Sequence, residues 1–192
     1  MRISGGAARG IPLVTPKGLA TRPATDGLRQ AVFSSLGARV LDARFLDLFA
    51  GSGAYGLEAL SRGAASGSFV EHHGRTADCV RQNITAVCRS LGRPEAGLTV
   101  VRGDALLVPW SQPEPPDLVF IDPPYERIPA VAPVLFERLA NLLRPQPEAL
   151  VIFEAPGDVP LEPAGWSCLK RIGKGARQPT ISVFSLDAAQ AR

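Results

Sequence analysis

Between Arg44 and Glu154 the chain alternates short apolar runs with stretches of helical periodicity, and this rhythm restricts the fold more than any other feature. Arg44 to Phe49, Gly67 to Glu71, Leu98 to Arg102, Leu118 to Ile121 and Ala149 to Glu154 have the length and composition of strands. Tyr55 to Ser61, Arg75 to Leu91 and Val131 to Leu143 have helical spacing. Parallel strands need long crossovers, and helices that supply them also cover both sheet faces, so such strands are apolar throughout. Trp166 to Ile172 and Thr180 to Leu186 are instead joined by a glycine-rich, basic loop with no room for a crossover helix, which predicts an antiparallel pair at the sheet edge. The expected fold is α/β and Rossmann-like: a seven-stranded, mostly parallel sheet closed by an antiparallel C-terminal strand pair.

Composition fixes the setting. With 45% hydrophobic residues among 192, the chain has material for one core, expected in residues 25–192, with residues 1–24 as an appended arm. Ile3 to Gly6 and Ile11 to Val14 predict a small hairpin around Ala7 to Gly10, with Pro12 and Pro16 placing its second half at an edge or in a loop. Thr25 or Asp26 caps a helix in which Leu28, Val32, Phe33 and Leu36 share one side, ending near Gly37. The net charge of +3 is a weak pointer to a polyanion, but before Asp42 the basic residues Arg2, Arg9, Lys17, Arg22, Arg29 and Arg39 are opposed only by Asp26. The arm is therefore the first candidate for phosphate contact. Arg171, Lys174 and Arg177 around the last strand pair form a second.

Cys79, Cys88 and Cys168 are odd in number and lack CxxC spacing, and His72-His73 has no partner at ligand spacing, so neither a disulfide scaffold nor a metal site is expected. No run reaches the about 18 apolar residues of a membrane span, and Met1 to Gly10 lacks a signal peptide's apolar centre. A cytoplasmic monomer is the expectation.

The first strand leads into Leu46-Asp47-Leu48-Phe49-Ala50-Gly51-Ser52-Gly53-Ala54-Tyr55-Gly56. Glycines 51, 53 and 56 permit a tight turn, close backbone approach and close helix-strand packing. Asp47 ahead of the turn repels a pyrophosphate but attracts the ammonium of a methionyl group, whose carboxylate the helix N-terminus can receive. Glu71, at the end of the second strand and 18 residues beyond Gly53, suits a pair of ribose hydroxyls. Asp104, in Arg102-Gly103-Asp104-Ala105, falls where a carboxylate can accept from an adenine amino group.

Val119-Phe120-Ile121-Asp122-Pro123-Pro124-Tyr125 carries the chemistry. An exocyclic base amine is planar and poorly nucleophilic because its lone pair enters the ring. Asp122 and the Pro123 carbonyl can accept its two protons and aim the nitrogen at an electrophilic methyl group, the prolines restrict the turn, and Tyr125 can stack on the base. Cys79 and Cys88 lie in a helix at packing separation and are not nucleophiles for a pyrimidine ring.

Taken together, these segments resemble the RsmD family, whose members methylate the N2 amine of a guanine in bacterial 16S rRNA of the small ribosomal subunit. The resemblance extends from Met1-Arg2-Ile3 and Arg9-Gly10 through Thr15-Pro16-Lys17-Gly18-Leu19, Thr21-Arg22-Pro23, Thr25-Asp26, Arg29, Ala31 and Phe33. It continues in Leu46 to Gly53, Gly56-Leu57-Glu58-Ala59-Leu60-Ser61-Arg62-Gly63-Ala64 and Asp122-Pro123-Pro124-Tyr125. Gln30, Ser34, His72-His73 and Ile172-Gly173 depart from the family pattern. The resemblance implies the class I S-adenosyl-L-methionine-dependent methyltransferase fold and small-subunit particles, assembled or assembling, as partners. It gives Asp122 and Tyr125 to the target guanine and Asp47, Gly51, Gly53, Glu71 and Asp104 to the cofactor; Pro123 and Pro124 in the first segment, and Phe49, Ser52, Gly56 and Ala105 in the others, are candidates by their place in the same motifs. The RNA side receives Arg2, Arg9, Arg22 and Arg29 from the resemblance, and Lys17, Arg171, Lys174 and Arg177 join them as candidates on their charge and position alone. The Asp122 motif by itself also admits adenine N6 or a protein glutamine amide, and a noncatalytic ribosome-assembly protein is the alternative outside enzymes.

Overall fold

The computed structural model describes residues 1–15, 25–110, 114–173 and 175–188. Thr25 caps α1 (Asp26–Leu36), its hydroxyl accepting from the Leu28 amide at 3.2 Å, and Gly37 ends the helix at φ 56°. The chain then runs through β1 (Arg44–Leu48), α2 (Ala54–Ser61), β2 (Ser66–Glu71), α3 (Gly74–Leu91), β3 (Leu98–Arg102) and β4 (Leu118–Ile121). One 3-10 turn, Gly37–Val40, follows α1, and a second, Tyr125–Arg127, leads into α4 (Ile128–Leu143), followed by β5 (Leu150–Pro156), β6 (Trp166–Ile172) and β7 (Pro179–Leu186). The seven strands form one sheet in the order β3-β2-β1-β4-β5-β7-β6. The first five are parallel, and β7 runs antiparallel to both β5 and β6. The sheet thus has the expected topology, with β7 inserted inside the edge strand β6.

Period-two alternation assigns each sheet residue to a layer. Phe45, Phe69, Phe120, Ile152 and Ile181 pack with Val32, Phe33, Leu57, Leu60, Val80 and Ile84 of α1, α2 and α3. Leu46, Leu48, Val119, Ile121, Val151 and Phe153 pack with Leu135, Phe136 and Leu139 of α4. The same alternation matters at the carboxyl ends. Asp47 continues the face of Phe45, Asp122 that of Phe120, and Glu154 that of Ile152, so three carboxylates on neighbouring strands share the α1-α2-α3 side. No helix among the described residues is long and apolar enough to cross a membrane.

The first residues reverse as the sequence predicts, but with one bridge, Arg2 to Pro12, instead of paired strands. Ile3 donates to Ile11 and Gly10 to Ile3, each at 2.9 Å, whereas Pro12 has no amide to extend the ladder. Ile3, Ala8 and Leu13 join the α1-α2-α3 core. Buried Glu58 of α2 fastens this segment, accepting from the Ser4 amide at 2.7 Å and its hydroxyl at 2.9 Å.

Candidate active site

The parallel order brings Asp47, Glu71 and Asp122 to one sheet edge, the ligand edge of open α/β sheets. Backbone bonds lock the three loops together: Ala50 donates to Val70 at 3.0 Å, Gly103 to Glu71 at 3.0 Å and Asp122 to Leu48 at 3.5 Å. Phe49, Gly51 and Gly53 all have φ between 56° and 78°, a concentration of left-handed backbone that makes the turn abrupt. Gly56 serves packing, because a Cβ there would lie 2.5 Å from the rings of Phe45 and Phe69.

Asp47 is buried and accepts from the Gly56 amide at 3.0 Å, so the strand-end carboxylate itself occupies part of the helix N-terminus expected for a ligand. Burial pushes its pKa up to about 8, the Gly56 bond works against the rise, and the charge of Glu71 adds to it. Glu71 bridges two loops, accepting from Gly51 at 2.9 Å and His73 at 2.8 Å. Ser52 is turned elsewhere: its hydroxyl reaches the Met1 sulfur at 3.2 Å, and its carbonyl accepts from Asn83 at 2.9 Å. Asn83 also binds the Val14 carbonyl at 2.9 Å, joining the glycine turn to the N-terminal segment.

Asp104 accepts from the Leu106 amide at 2.8 Å and meets Arg127 at 3.4 Å. The Leu106 bond holds its carboxyl below the usual carboxylate value against the cost of burial, with Arg127 assisting. Arg127 also lies 6.0 Å from the Phe49 ring centroid, linking the Asp122 loop to the Asp104 loop. Sequence reasoning missed this residue, although its place two positions after Tyr125 put it within reach. Ala105 is buried, and its carbonyl accepts from Trp110 at 3.0 Å and Arg138 at 2.9 Å.

Asp122 is half-buried, Pro123 is buried and Pro124 is exposed, with Tyr125 between these extremes. Asp122 is raised well above the usual carboxylate value by burial, then by the charges of Glu154 and Asp47. Glu154 is 0% exposed. It accepts from the Tyr55 hydroxyl at 2.8 Å and the Tyr125 hydroxyl at 3.3 Å. Burial raises its pKa, and the two tyrosine hydroxyls and Arg29 restrain the rise. Burial and then the negative charges of Glu154 and Asp122 push the Tyr55 phenol well up. The signal in the sequence was a glutamate closing the apolar run Leu150 to Phe153.

The basic residues divide. Arg9, Arg171 and Arg177 are exposed, and Arg171 spans to the Gly157 carbonyl at 3.0 Å. The Arg2 side chain is 69% exposed and lies 3.5 Å from Asp26. Lys17, Arg22 and Lys174 fall outside the described residues. Arg29 overturns the expectation of a surface cation: only 1% exposed, it bonds Asp26 at 2.7 Å and the Arg2 carbonyl at 2.7 Å and approaches Glu58 at 3.9 Å. Its position beside Val32 and Phe33 on the buried side of α1 takes it inward, where acidic partners offset its desolvation.

A family model described as conserved hypothetical protein 95 matches residues 1–182. Ribosomal RNA small subunit methyltransferase D of Escherichia coli strain K12 is 35% identical over 173 residues, covering 87% of this chain and 81% of that protein. The protein of the same name from Haemophilus influenzae is 34% identical over 88% of this chain and 86% of its own. Among solved structures, the Escherichia coli protein yhhF superposes with a TM-score of 0.75 at 33% identity, covering 98% of each chain. A Salinibacter ruber RNA methyltransferase solved with S-adenosyl-L-homocysteine shares the fold, with a TM-score of 0.64 at 15% identity over 86% of this chain and 94% of its own. With one family model spanning nearly its whole length and full-length relatives at this identity, the chain belongs to the conserved hypothetical protein 95 family, the RsmD family.

Proposed function

We propose that this protein transfers a methyl group from S-adenosyl-L-methionine to the N2 amine of a guanine in 16S rRNA, acting on the small ribosomal subunit or its assembly intermediate. One observation carries the reading: the Asp122-Pro123-Pro124-Tyr125 turn lies beside the Asp47 glycine turn at the sheet's carboxyl edge, in a chain 35% identical to a protein named for small-subunit rRNA methylation. The donor set fits the cofactor. Asp47 and Glu71 form no ion pair with a described side chain, and burial together with mutual repulsion has already raised Asp47. A ligand with positive charge relieves both costs. Glu71 keeps acceptor capacity on both oxygens for ribose hydroxyls, and Asp104 stands at the next strand end for the adenine amine.

When bound, the cofactor supplies an electrophilic methyl group: the nitrogen–carbon bond forms as the sulfur–carbon bond breaks, with the electron pair left on sulfur. The chain's own groups prepare the nitrogen. Asp122 and the Pro123 carbonyl accept its two N–H bonds, Asp122 takes the proton that leaves, and Tyr125 stacks on the base. The exposed Arg2, Arg9, Arg171 and Arg177 hold the RNA backbone, with residues 1–24 as the RNA-contacting arm and residues 25–192 as the catalytic domain.

Purified protein, labelled cofactor and small-subunit particles lacking the native methylation test the reading by nucleoside analysis. N2-methylguanosine is the expected product. N6-methyladenosine rejects the substrate assignment, and particle binding without transfer favours an assembly protein.

A further inference from the structure

The site contains a buried carboxylate that the methyl-transfer chemistry does not itself require. Glu154 lies in β5, two residues before its end and one step beyond the Ile121 to Phe153 pair that joins β4 to β5, and therefore stands beside Asp122 on the same sheet face. It has no access to solvent. Tyr55, on α2, stacks on Phe120 with ring centroids 5.5 Å apart and planes at 14°, and sends its hydroxyl to one oxygen of Glu154. Tyr125, in the loop after β4, sends its hydroxyl to the other. Two phenols that donate to both oxygens at once favour the ionised form of Glu154 and work against the rise that burial imposes on it.

We propose that Glu154 is a positioning residue of the methyl-transfer site, holding the Tyr125 ring against the target base and keeping a negative charge beside Asp122 that strengthens Asp122 as the acceptor of the amine proton. The inference rests on the guanine-amine reading for the base, but its electrostatic half concerns the protein alone. A tyrosine on a loop loses rotamer freedom when it must present a ring face, and a fixed acceptor prepays that ordering. A carboxylate among like charges in a desolvated setting has a higher proton affinity, which suits it to receive a proton during nitrogen attack. The groups facing Glu154 are Tyr55 from α2, Tyr125 and Asp122 from the β4 loop, Asp47 from β1 as a negative neighbour of Asp122, and Arg29 from α1. From β7 its register partner is Ile181, which does not titrate.

The test pairs Glu154→Gln with Tyr125→Phe. Asp122 is first titrated by carboxyl-carbon NMR in the cofactor-free protein, with the resonance assigned through Asp122→Asn. Glu154→Gln removes the neighbouring charge, so the Asp122 midpoint moves down by about one pH unit. The acid limb of kcat moves in the same direction, its plateau falls about tenfold, and labelled-cofactor Kd stays within about twofold. Tyr125→Phe keeps the ring and removes one bond to Glu154, lowering kcat about fivefold with cofactor Kd unchanged. This variant decides the matter alone if Glu154→Gln does not fold. An Asp122 midpoint that ignores Glu154→Gln, or wild-type kcat in Tyr125→Phe, overturns the proposal. An Asp122 shift in a protein that makes no N2-methylguanosine instead removes the substrate reading and leaves the charge coupling standing.

Discussion

Glu58 and Glu154 are equally inaccessible, both 0% exposed, and their surroundings are opposites. Glu58 is surrounded by compensation: the Ser4 amide and hydroxyl, Arg62 at 2.9 Å and Arg29 at 3.9 Å. Glu154 has two tyrosine hydroxyls and the charge of Arg29, and it shares the sheet edge with Asp122 and Asp47. The first carboxylate spends its charge on joining the N-terminal segment to α2. The second lies where charge is left poorly compensated, the pattern expected of a reacting site. One fold layer therefore contains both a fastening and a reservoir of electrostatic strain, separated by the choice of partners.

Replacing each by its neutral isostere is the sharpest way to break this comparison. Glu58→Gln leaves Arg29 buried with a weakened partner set and costs about 3 kcal/mol in urea unfolding. Glu154→Gln removes like-charge repulsion and stays within about 1 kcal/mol of the parent, or above it. Equal losses from the two substitutions would erase the distinction between them.

A second effect sharpens the contrast through pH. The folded Asp47 carboxyl has a pKa of about 8 against an ordinary value near 4, so folding favours its protonated form. Its contribution to stability is complete below the ordinary value and is lost as pH rises through about 8. Asp122 and Glu154, also raised, add to the decline with the same sign. Unfolding of the cofactor-free protein at a series of pH values shows this fall, and Asp47→Asn flattens it while preserving an acceptor for the Gly56 amide. An unaltered slope in the variant places the pH dependence elsewhere.

Much of this organisation is legible in the chain. Apolar runs place the first five strands within two residues of their observed ends, because parallel strands buried on both faces carry a continuous signal. Helix α4 begins at Ile128, three residues before the periodic stretch, since Pro129 is tolerated in a first helical turn. The carboxylates Asp47, Glu71 and Asp122 are legible because each falls within one residue of a strand's carboxyl end. Glu154 closes the apolar run of β5 two residues before that strand ends, but its meaning depends on lying beside Asp122 and on two tyrosines 99 and 29 residues away in sequence. Arg29 misleads for a related reason: a charge count in the first forty residues does not say which arginine lies on the inward side of α1. Local pattern encodes the scaffold and its edge, whereas long-range pairing decides which charges are neutralised.

The central claim, that Asp122 grips the amine under attack, is tested most directly by Asp122→Ala assayed for both turnover on small-subunit particles and equilibrium binding of labelled cofactor. Turnover falls by about 100-fold or more while cofactor Kd changes by less than about threefold, because the role proposed for the carboxylate is at the target nitrogen and not at the cofactor. Parallel losses of similar size in both measurements would assign Asp122 to holding the cofactor or the fold, and the account of the site would fail.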